Sequence, residues 1–262
     1  MSPGFLMRCL PWLLLAACLC GQNPVPVMPA AAGPRYVDFS KDLARPDVLV
    51  VVGRFGKWKE GKRERLADGR LGGPMQSTSV SGTQYFKVPV QAPVQPRATF
   101  HGKADKIELG FDIQLARLPD GKERRQSMTG NGASLAEDQL ALFVMAPRDK
   151  GKGMAMLHVI PFDPSVDQGA DAEAGFTDTM HDFYVVNQRV HELETALAAV
   201  DKAADAPAKA AAGKQLEELL AQKPQLHRPK NDGLLAMHVA PLEQRARTRL
   251  AELAKEAREA GK

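Results

Sequence analysis

The sequence predicts an α+β protein, a small antiparallel β-barrel or sandwich followed by a helical C-terminal region. Three observations carry this reading. The segment Ile107-Glu108-Leu109-Gly110-Phe111-Asp112-Ile113-Gln114-Leu115 has an apolar side chain at every odd-numbered position, the period of a strand with one buried and one wet face. Other β-rich stretches, separated by Gly, Pro and Asp turns, lie on either side of it between Asp47 and Ile160. Beyond Gly175 the period changes. Phe183, Val186, Val190, Leu193, Leu197 and Val200 are spaced 3, 4, 3, 4, 3, which makes one apolar seam along a helix.

At the N-terminus, an apolar stretch from Cys9 to Cys20 follows the single basic residue Arg8. Crossing a bilayer as a helix takes ~20 apolar residues. This stretch is shorter, contains Pro11, and is ended by Gly21-Gln22-Asn23-Pro24. A charged start, a brief apolar region and small residues at its exit describe an export signal over residues 1–17. The three cysteines, Cys9, Cys18 and Cys20, all lie in or beside that signal, so the rest of the chain is free of cysteine. A bridge between Cys18 and Cys20 would staple nothing distant, and thiol or zinc-ribbon chemistry has no residues to work with.

Leu15-Ala16-Ala17-Cys18 resembles the lipobox of bacterial lipoproteins. The resemblance implies cleavage after Ala17, a diacylglyceryl group on the Cys18 sulfur, and attachment of the protein to a membrane of the cell envelope. A competing cut at Ala30-Ala31-Ala32 would release a soluble protein, but it falls far beyond the apolar region. Residues 18–38 are rich in proline and small residues and read as a semi-extended tether.

The predicted β-region spans residues 39–165. A short helical turn over Phe39–Pro46 leads into the β-branched run Asp47–Phe55. The polar stretch 56–82 is a loop or an extended hairpin, and strand character returns at Gln84–Val90. After Ile107–Leu115, Pro119-Asp120-Gly121 makes a turn and Lys122–Met128 returns antiparallel. Strands follow at Gln139–Met145 and Met154–Ile160. In its order of segments, about Phe39 to Phe162 resembles the OB-like barrel of tissue-inhibitor/netrin-type domains. The chain lacks the cysteines through which the eukaryotic inhibitors act, so protease inhibition is not implied and no functional residue carries over.

Residues 166–175 form an acidic linker, and 176–262 a helical region. Pro207 ends the first helix, Lys209–Gln222 forms a second, and Leu242–Ala260 a charged third. Gly153–Pro161 and Gly233–Pro241 both read G-x-x-x-x-H-V-x-P. Either the motif is a duplicated strand, which would make Leu234–Ala240 a strand rejoining the barrel, or two apolar segments coincide; the unrelated flanks favour coincidence. The acidic linker predicts that residues 36–165 fold alone, whereas 176–262 need tertiary contacts.

Several chemistries lack their residues. Gly56-Lys57-Trp58-Lys59-Glu60-Gly61-Lys62 fits a phosphate loop up to its last position, where Arg63 replaces the magnesium-binding Ser or Thr. The reading is a solvated basic loop. The histidines form neither HExxH nor a paired motif. Asp178, His181 and Asp182 share one helical face and could make a metal triad, but acids there read first as partners of the helix dipole behind a Thr177 or Thr179 cap. No G-x-S-x-G serine, nucleophilic cysteine or dinucleotide turn is present.

A net charge of +4 with both signs interspersed, and only 6% aromatic residues, is not the pattern of a nucleic-acid binder. The expectation is a lipid-anchored envelope protein, a non-catalytic binding or assembly module. Its partners would be the membrane, through Cys18, and another envelope protein, with no cofactor and no metal indicated. An unrecognised envelope hydrolase and a structural spacer are the alternatives.

Overall fold

Continuous apolar runs such as Val48–Val52 can be strands only if both faces are covered, and the structure covers them. The computed structural model describes residues 34–66, 82–103, 106–127, 135–148, 153–165, 169 and 171–260. The signal segment with Cys18, most of the tether, residues 67–81 and part of the acidic linker lie outside these. A 3-10 turn at Asp42–Ala44 precedes β1 (Leu49–Phe55). Then come β2 (Lys59–Glu60), β3 (Glu64–Arg65), β4 (Gln84–His101), β5 (Ile107–Arg117), β6 (Glu123–Ser127), β7 (Leu140–Pro147) and β8 (Met154–Pro161). They make one eight-stranded, antiparallel-dominated sheet followed by helices α1 (Ala172–Lys202), α2 (Ala206–Ala221), α3 (Asp232–Leu234) and α4 (Ala240–Ala260). The α+β class is as the sequence predicts.

β1 pairs with β4 and β7, β4 also pairs with β5, and β7 pairs with β8, all antiparallel. β5 and β8 meet in parallel at Leu109 and Met154. Gly153 makes this meeting possible. Its φ is +92°, and a Cβ there would fall 2.6 Å from the Glu108 carbonyl oxygen.

β4 runs eleven residues beyond the predicted Val90, through Pro93 and Pro96. The pairing with β5 runs unbroken past Pro89 and Pro93, and the prolines are admitted because the pairing on the other side of β4 is short or irregular beside them. Pro89 and Pro93 flank the two-residue pairing with β2, and Pro96 faces Gly53 at a register shift in β1.

The sheet separates two cores. Leu49, Val51 and Phe55 of β1 join Val88, Val90, Leu109, Phe111, Ile113, Leu115 and Phe143 on one face. Val50 and Val52 join Leu142, Val144 and Ile160 on the other, where Phe39, Leu43 and the α1 residues Phe176, Met180 and Phe183 cover them. The second half of α1 turns to the helices: Val186, Val190, Leu193, Leu197 and Val200 pack with Leu216, Val239 and Ala246. The predicted seam is therefore buried throughout, with Phe183 against the sheet and the rest against α2 and α4.

The sequence expectations for the start of α1, the Thr177 or Thr179 cap and Pro207 are corrected, and the alternative left open at Leu234–Ala240 is decided. α1 begins at Ala172, inside the stretch expected as linker, and Gly175 is helical. Asp178 and Asp182 thus lie beyond the first turn, which carries Glu173 instead, and the Thr177 and Thr179 hydroxyls donate back to the carbonyls of Glu173 and Gly175 rather than capping. Leu234–Ala240 is helical, widened into a π-turn at Leu235–Val239. Leu, Ala and Met favour a helix. Pro241, with no N–H to donate, accounts for the widened turn. The repeated nonapeptide is one strand and one helix, a coincidence. Pro207 ends nothing: it sits in the first turn of α2, behind Asp205, whose carboxylate accepts from the Ala208 N–H at 2.8 Å.

Candidate functional site: a histidine–aspartate cluster on α1

Helix α1 buries the polar side chains of Thr179, Asp182, Asn187 and Arg189, and the last three each tie down a different part of the chain. Asn187 Oδ1 accepts from the Phe39 N–H at 2.6 Å, while its Nδ2 donates to the Val37 and Phe183 carbonyls. Arg189 donates to the Gln222 carbonyl and to Glu243 of α4. Asp182 is fully buried. Its Oδ1 accepts from the His227 N–H at 2.7 Å, and its Oδ2 accepts from the Arg228 N–H at 3.1 Å and from Asn231 Nδ2 at 2.7 Å. Such a carboxylate acts as the cap of a loop in place of a missing stretch of secondary structure. Arg228 completes the tie by donating to the Gly175 carbonyl and the Thr179 hydroxyl.

This loop brings His227 onto His181. Their rings stack with centroids 4.0 Å apart and planes 9° from parallel. Phe100 of β4 meets His181 edge-on, and Tyr184 stacks on Phe100 with its hydroxyl 3.5 Å from His101 Nδ1. His181 Nδ1 is buried with no hydrogen-bond partner among the described residues, and Asp182 Oδ1, at 3.8 Å, is too far to serve. Burial, and after it the neighbouring His227, hold the His181 pKa below the ordinary histidine value, with the nearby Asp182 and Asp178 opposing. Burial and His227 thus disfavour the protonated ring. On the outer side, Asp178 Oδ1 stands 3.5 Å from His227 Nδ1.

The structure thus unites the three residues the sequence placed on one helical face, Asp178, His181 and Asp182, and adds His227 and Asn231, which sequence reasoning missed. No local signal could have found those two, because they contact Asp182 across separations of 45 and 49 residues. Of the remaining histidines, His158 bonds Asp42 at 2.8 Å, and His238 stacks on Tyr36. In the basic loop, β3 stands where a phosphate loop would start its helix, and Arg63 pairs with Glu60 and Glu123. Cys18 lies outside the described residues.

Among the described residues, no helix is long and apolar enough to cross a membrane. Comparison of the chain with protein-family models, with curated proteins and with solved structures gave no match.

Proposed function

We propose that the chain is a lipid-anchored protein of a bacterial cell envelope whose folded part is a non-catalytic binding or assembly module. The observation that carries this reading is Leu15-Ala16-Ala17-Cys18 at the end of an apolar stretch too short to span a bilayer. The module is an OB-like barrel with a helical arm. Its support is the circuit of pairings β1–β4–β5–β8–β7 and back to β1, a five-stranded ring of the kind a partly open barrel uses. The composition of residues 18–38, rich in proline and small residues, supports a tether between the lipid and the fold. The chain then enters the fold beside Asn187, where the sheet and the helices meet. The partner is another envelope component, bound on the module.

Expression in a bacterial host tests the anchor. The mature protein should begin at a lipid-modified Cys18, and Cys18→Ala should accumulate as unprocessed precursor. A mature N-terminus at Gly33 without lipid, read by mass spectrometry, would overturn the proposal.

A further inference from the structure

We propose that His181, Asp182 and His227 form a site for one divalent transition-metal ion of the zinc class, which clamps helix α1 to the loop before α3. One ligand atom from each of the three residues already lies within 4.8 Å of the others. Ligands at ~2.1 Å from a tetrahedral ion are about 3.4 Å apart, so the site needs to close by roughly 1–1.5 Å. His227 can make that movement, because its side chain is 53% exposed while Asp182 is fully buried and fixed.

The donor chemistry fits at each position. His181 presents a buried ring nitrogen that nothing among the described residues satisfies, and a buried polar atom of this kind calls for a partner. Asp182 uses three of the roughly four acceptor positions of a carboxylate on His227, Arg228 and Asn231, which leaves one on the side of His181. Those same three bonds are the outer support that orients a ligand carboxylate. Asp178, beside His227 Nδ1, stands where a carboxylate fixes a ligand histidine's tautomer and leaves Nε2 for the ion. Two imidazoles and a carboxylate select zinc, cobalt or nickel over magnesium and calcium, which prefer all-oxygen sites. The two rings now stack face to face, 4.0 Å apart and 9° from parallel, so their in-plane lone pairs do not converge, and binding one ion requires the exposed His227 ring to turn out of the stack toward the His181 nitrogen.

The test uses the full chain, stripped of metal by a chelator and titrated with cobalt(II) and with zinc(II). One ion should bind per chain, with visible cobalt absorption and a rise in melting temperature that millimolar magnesium does not reproduce. His227→Ala and His181→Gln should each weaken zinc binding at least tenfold, whereas His191→Ala, a histidine elsewhere on α1, should leave it unchanged. Should either variant fold poorly, carbethoxylation of the unaltered protein gives an independent reading: zinc should protect His227 and leave His191 reactive. Zinc that binds His227→Ala as tightly as the parent, or that protects neither or both histidines, would overturn the site.

Discussion

Asn187 shows how one residue can hold two layers together. It satisfies the backbone of Phe39 and Val37 at the point where the chain enters the fold, and it is itself fully buried. Asn187→Leu should leave the Phe39 N–H buried and unpaired and cost about 1–3 kcal/mol in denaturant unfolding. Asn187→Asp should cost more, because it turns a carboxylate toward two carbonyl oxygens. An Asp variant as stable as the parent would show that the amide is not needed as a donor. Glu173 works instead through charge. Arg54 first, and Arg97 with it, hold its carboxyl below the ordinary carboxylate range, against some opposing burial. A depressed carboxylate contributes stability above its unfolded pKa, about 4.3, and loses it as the pH falls through the folded value. Glu173→Gln should therefore melt below the parent at neutral pH, and the gap should narrow as the pH drops below about 4. A gap that stays constant with pH would remove Glu173 as a contributor. Neither residue's role was legible in the sequence, since each depends on partners more than a hundred residues away or on another element's edge.

At the scale of elements, the sequence is legible where a period repeats and opaque where context decides. The strand Ile107–Leu115 was readable because its odd-numbered residues all enter one core. Phe111→Asp should consequently cost at least about 4 kcal/mol, since it buries a charge without a partner. Asp112→Lys replaces its one-third-exposed pair with Lys87, 3.0 Å away, by two like charges whose long side chains can splay into solvent, and should cost within about 1 kcal/mol. Equal losses at the two positions would mean that the strand's faces are not separated. The repeated nonapeptide was misleading for the converse reason. Its two glycines occupy opposite situations: Gly153 has a positive φ against β5, whereas Gly233 lies in helix α3 with nothing within 4 Å of a Cβ. Gly153→Ala should destabilise by roughly 1–3 kcal/mol, and Gly233→Ala should stabilise by about 0.5–1 kcal/mol. Chemical denaturation of the two variants reads both signs, and the same sign at both would contradict the different backbones. The start of α1 escaped sequence reading because Gly175 and the acids around it look like a linker until Phe176 is seen buried against the sheet.

At the scale of the whole molecule, α1 changes what the parts can do alone. The acidic composition near residue 166 suggested a barrel that folds by itself and a helical region that needs help. Yet the face of the sheet carrying Val50, Val52, Leu142 and Val144 is closed by Phe176, Met180 and Phe183. Burying each of those three side chains is worth roughly 2 kcal/mol as an upper estimate, a large share of the margin by which a domain of this size is stable. A fragment of residues 34–165 should therefore expose an apolar face, bind a hydrophobic dye, and melt broadly or at a much lower temperature than the full chain. Extending it through Lys202 restores the cover over the sheet but uncovers Val190, Leu193 and Leu197, which α2 and α4 normally bury. That longer fragment should regain a cooperative sheet transition while still binding dye, and only the full chain should melt in one sharp step without dye. If residues 34–165 alone melted as sharply and as high as the full chain, the sheet would be an independent domain. Helix α1 would then be a lid laid over it rather than part of its core.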